Sequence, residues 1–115
     1  MDITEPLKFE QQFEGQFELQ RITTLSQAIR EGAKHVAEKV WSHNGCVLAM
    51  ACHTYTGKRL AENVAYQIGE GPNTYQQFIA DKSGVPALVV RDAEWKHMRG
   101  TPALTIADEL EAMGY

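Results

Sequence analysis

The stretch 46–55, CVLAMACHTY, constrains this chain more than any other. It is apolar on both faces and bounded by Gly45 and Gly57. At that length it reads as a central strand buried on both sides. Such a strand needs cover on each face and partners along its edges, and the flanking segments supply candidates for both.

Upstream, residues 24 to 43 read as a long amphipathic helix. Leu25, Ala28, Ile29, Gly32, Ala33, Val36, Ala37, Val40 and Trp41 recur at the helical period. Gln27, Arg30, Glu31, Lys34, Glu38 and Lys39 fill the other face. Thr24 or Ser26 can cap its start, and Asn44-Gly45 is a stop signal. Gly32 and Ala33 within the stripe allow a close approach to a sheet. Downstream, Thr56-Gly57-Lys58 is turn chemistry. RLAENVAYQI, 59–68, alternates as the hairpin partner of the central strand, with a helix as the alternative because Ala and Glu are frequent.

The remaining pieces extend that pattern. Residues 6–14 suit a short helix with Pro6 in its first turn, and QFELQRI, 16–22, a short strand. TYQQFIADKS, 74–83, suits a helix capped by Asn73 or Thr74 and closed by Ser83-Gly84. Val85 to Val90 reads as a strand with Pro86 at its start, RDAEWKHMR as a helical turn, and Ile106 to Met113 as a helix stopped by Gly114. The expected fold class is α+β. A mostly antiparallel sheet carries a long N-terminal helix and further helices, in a single domain over 1–115.

Charge and cysteine use narrow the function. With 15 acidic against 11 basic residues the net charge is -4, which argues against binding nucleic acid or anionic membrane. No apolar run is long enough to span a bilayer, and MDITEPLKFEQ has no apolar signal region. Two cysteines without such a signal point to the cytoplasm.

Catalytic chemistry finds little support. On a strand Cys52 and His53 point to opposite faces and cannot share one ion. Cys46 and Cys52 would stand ~20 Å apart and cannot be bridged, so both read as small core residues. His53, near the turn, is the candidate ligand group. His35, His43 and His97 show no metal-ligand spacing. His35 reads as a surface partner of Glu31 and His43 as a helix-end cation. His97, beside Trp95 and Met98, either faces a flat ligand or packs over the core. No GxSxG occurs, and the carboxylates lie on polar helix faces. GEGPN, 69–73, precedes a helix start whose free N–H groups can hold a carboxylate or phosphate, with Lys58 and Arg59 adding charge.

Several short motifs carry a family resemblance. Thr24-Leu25 with Ala28 forms a TLxxA helix start, and Gly57-Lys58-Arg59-Leu60 forms a hairpin motif. Gly69 to Asn73 gives a glycine-rich loop, and Phe78-Ile79 with Lys82 an aromatic-Ile-x-x-Lys pattern. Over about residues 16 to 85 the chain resembles the GlcG/HbpS-type family. It departs from that pattern at ADKSG and GVPALVV. The resemblance implies a profilin-like sheet, a homo-oligomer, and haem or a related small molecule as ligand.

The combined expectation is a non-catalytic small-ligand-binding protein. Its pocket would lie between the hairpin, the GEGPN loop and the C-terminal segment. His53, Tyr55, Lys58, Gly69, Gly71, Asn73, Tyr75 and Lys82 are the candidate binding residues. The alternative is a protein–protein interaction or inhibitor module of a mobile element or accessory pathway, with no small-molecule chemistry.

Overall fold

The structure is a computed structural model in which residues 23–115 are described. These residues form six helices and no strand, which overturns the α+β expectation and its antiparallel sheet. The helices are α1 Leu25–Gly32, α2 Val47–Thr56, α3 Leu60–Asn63, α4 Thr74–Ser83, α5 Ala87–Met98 and α6 Ala103–Ala112. The helix expected at 6–14 and the strand at 16–22 lie outside the described residues. No helix among the described residues is long and apolar enough to cross a membrane.

The central element is central as expected, but it is a helix. Leu48, Ala49, Met50 and Ala51 are strong helix formers and only Val47 of VLAMAC is β-branched, while an all-apolar run does not separate strand from helix by period. Every residue from Val47 to Cys52 is buried. A helix apolar all round belongs in the middle of a core. Accordingly α1, α4 and α5 all pack on α2, while α6 closes against α1 and α5. Gly57 ends α2 in the left-handed region at φ 73°, donating its N–H to the His53 carbonyl at 2.8 Å.

The other expected strands fail for local reasons. Of 59–68 only Leu60–Asn63 is regular, one helical turn anchored by buried Leu60. Val64 after it is extended. The segment 85–90 opens α5 instead. Pro86 precedes the first turn, where its missing N–H is no loss, and its carbonyl accepts from Val89 and Val90 at 2.9 and 3.2 Å. The helix at 74–83 forms with the expected ends, and α6 contains most of the expected 106–113.

The expected helix over 24–43 stops at Gly32, and 33–46 is an irregular connection held by its own turns. The small-residue contact is real, but its partner is a helix. A Cβ on Gly32 would fall 1.9 Å from the Met50 carbonyl oxygen of α2. Trp41, expected in the buried stripe, is 79% exposed.

One junction fixes that connection. His97 of α5 is fully buried. Its Nδ1 accepts the Val47 N–H at 3.3 Å, so the ring proton sits on Nε2 and is donated to Glu38 Oε2 at 2.6 Å. The same carboxylate oxygen accepts the Ala103 N–H at 3.0 Å. Glu38 thereby ties the connection to α5 and to the start of α6, and His97 extends the tie to the start of α2. At the far end of the molecule the Ser26 N–H donates to the Tyr115 carbonyl at 3.1 Å.

Candidate functional site

Between the 33–46 connection, the 64–73 connection and the packed pair α4 and α5 lies a cleft of about 320 Å³. Its floor is polar and its walls are aromatic. Cys46, Gln76 and Glu94 form the floor, and all three are buried. Trp41, His43, Tyr66 and Trp95 stand around it, with Asn73 at the start of α4.

The floor is one hydrogen-bonded row that begins at a helix cap. Asn73 caps α4 by accepting the Gln76 N–H on Oδ1 at 2.9 Å. Gln76 returns the bond, its Oε1 accepting the Asn73 N–H at 2.9 Å. This capping box leaves the Gln76 amide nitrogen pointing onward, and Nε2 donates to Glu94 Oε1 at 2.7 Å. The other carboxylate oxygen, Oε2, faces the Cys46 thiol at 3.9 Å.

The wall is an aromatic trio. The Tyr75 ring is edge-on to His43 at 4.7 Å between centroids, and Tyr66 lies 5.0 Å from Tyr75 and 5.2 Å from His43. Tyr75 belongs to α4, His43 to one connection and Tyr66 to the other. The trio therefore clamps two irregular segments onto a regular helix, which gives the cleft a defined shape.

Burial disfavours the thiolate of both cysteines, of which Cys46 lines the cleft. Burial pushes the Cys46 thiol up to about 11, and burial also raises Cys52 despite its contacts with Thr56 and Asn63. A protonated thiol is a weak donor and a poor attacking group. Among the described residues no group of three or more His, Cys, Asp or Glu side chains could hold a metal ion.

The structure gathers only some of the sequence-predicted residues here. Asn73 lines the cleft and Tyr75 supports its wall. His53 does not line it. It stacks on His35 with centroids 5.3 Å apart, and Glu31, the expected partner of His35, pairs with Lys34. Tyr55 Oη donates to the Thr23 carbonyl at 3.1 Å, and burial pushes its phenol up to about 12. Lys58 is exposed beyond the end of α2, and the Lys82 ammonium lies over the Phe78 ring at 5.5 Å. Gly69 and Gly71 are exposed in the 64–73 connection. The start of α4 is capped from within. The Asn73 and Gln76 N–H groups are taken as above, and the Thr74 N–H donates to the Gln67 carbonyl at 3.2 Å. The profilin-like sheet that brought haem into view is absent among the described residues.

Glu94, Gln76, Cys46, Trp41 and Tyr66 were not among the expected site residues. A signal for Glu94 was present. Val90, Ala93, Glu94 and His97 have helical spacing and form the buried stripe of α5. Read as a helix, that stripe puts a carboxylate and an imidazole inside the core.

Comparison with protein-family models, with curated proteins and with solved structures finds no match to this chain.

Proposed function

We propose that this protein binds a small molecule in the cleft over Cys46, Gln76 and Glu94 and does no covalent chemistry on it. The observation that carries the reading is the pairing of a buried polar floor with aromatic walls, in a volume of about 320 Å³. Ligand sites are concavities of about 300–1,000 Å³ with few, well-placed polar groups, so the cleft suits a small ligand. Burial that raises the pKa of the Cys46 thiol at the cleft floor supports binding over catalysis. Native mass spectrometry of the protein isolated from its own host tests the reading. A bound small mass is expected on the wild type and at lower occupancy on Trp41→Ala. A bare chain in both preparations would count against it.

A second reading, a protein-interaction module, draws on a separate surface. A groove of about 290 Å³ runs between α5 and α6, and Leu88 and Met113 on it are 57% and 56% exposed. Lys96 at the groove pairs with Asp92 at 3.6 Å and Glu109 at 3.3 Å. A rim with both signs is compatible with a second copy of this chain, since a two-fold contact sets the same patch against itself without a surplus of one sign. Sedimentation of the wild type against Leu88→Glu tests this. Self-association through this groove requires an oligomer that the substitution splits, and a wild-type monomer excludes it.

A further inference from the structure

Resting on the small-ligand reading, we infer that the cleft takes an organic cation with an N–H donor, a primary ammonium or a guanidinium group. Glu94 is 5% exposed. An ionised carboxylate has room for about four hydrogen bonds. Glu94 has one strong donor, Gln76 Nε2 at 2.7 Å, and one weak one, the Cys46 thiol at 3.9 Å. A buried charge is costly unless a counter-charge and further hydrogen bonds accompany it.

No counter-charge reaches it among the described residues. The arginines and lysines that form ion pairs there are Arg30, Lys34, Arg59 and Lys96, all with other carboxylates. His97, one turn along α5, gives its proton to Glu38. Arg91 lies over the Trp95 ring at 4.4 Å and lines the groove on the other side of α5. Glu94 Oε2 thus lacks a strong donor at the floor of an open cleft.

The walls favour the same charge. Trp41 and Tyr66, which line the cleft, are aromatic side chains of the kind that attract a cation through the ring quadrupole. The capping box fixes Gln76, so the carboxylate is oriented before any ligand arrives. A neutral ligand leaves Glu94 unpaired, and an anion is repelled by it, so the site discriminates by charge.

The test uses three probes of similar size, benzylamine, benzyl alcohol and benzoate, in amine-free phosphate buffer. ¹H–¹⁵N spectra follow the Gln76 side-chain amide and the indole N–H signals of Trp41 and Trp95. Benzylamine is expected to bind at least about tenfold more tightly than benzyl alcohol, the fold-change of one charge-assisted hydrogen bond, with benzoate not binding. Glu94→Gln should bring benzylamine down to the level of the alcohol. If Glu94→Gln does not fold, Trp41→Ala serves, since that side chain is 79% exposed, and it should weaken benzylamine severalfold. Equal or tighter binding of the alcohol or of benzoate overturns the cation inference and leaves the small-ligand reading standing. Silence from all three probes also overturns the cation inference, and the small-ligand reading falls with it only where native mass spectrometry shows a bare chain.

Discussion

Gly32 is the residue where one added methyl group should be felt most. Its missing side chain lets α1 approach the backbone of α2, and the atom that a Cβ would strike is a main-chain carbonyl that cannot rotate away. Gly32→Ala is expected to cost about 3 kcal/mol or more, above the usual range for overpacking, in a urea unfolding curve. The thiols give a second test at this scale. With its pKa pushed up to about 11 from 9.0, Cys46 has a thiolate fraction about 100-fold below that of an ordinary cysteine. Native protein should leave a thiol reagent unreacted until denaturant is added. Prompt modification of Cys46 in the folded chain would show a thiol more reactive than its burial implies. Residue character was legible here: small Gly32 and buried Cys46 and Cys52 follow from the sequence. Glu94 was not, because its segment was divided between a strand and a helical turn.

At the scale of elements, the His97–Glu38 junction and the α4 cap are the parts that shape the cleft. The Glu38 carboxyl is held below its usual range, first by the hydrogen bond from His97 and also by the Ala103 N–H. Its depressed pKa contributes stability above the unfolded value of 4.5 that is lost as pH falls through the lower folded value. Urea midpoints of the wild type should therefore fall more steeply through that acid range than those of Glu38→Gln. Parallel curves would place the acid sensitivity elsewhere. Asn73→Ala removes a cap and should cost about 1 kcal/mol. It also frees Gln76 from its box, so ligand binding should weaken in the same variant. At 46–55 the strand reading fails for one physical reason. A strand and a buried helix both show a short apolar run, and only packing distinguishes them. Where a cap was written into the sequence, as at Asn73 and Gly84 around α4, the element was read with its ends correct. Where the helix was fully amphipathic on paper, at 24–43, the Gly32 contact and the His97–Glu38 junction overrode the period.

At the scale of the whole molecule, a central apolar helix wrapped by the others leaves the irregular connections 33–46 and 64–73 on one side, and the cleft is built where they meet α4 and α5. Long-range placement of this kind has no local sequence pattern. That is why Asn73 and Tyr75 were found while Trp41, Tyr66 and Glu94 were not. A ligand that binds only the folded chain raises its melting temperature. The most direct measurement is thus a thermal-unfolding screen of small molecules of both charges and none, run in parallel on the wild type and on Trp41→Ala. A ligand cleft walled by Trp41 predicts at least one compound that raises the wild-type midpoint by several degrees and the variant's midpoint by clearly less. No stabilising compound, or equal stabilisation of both proteins, would contradict it.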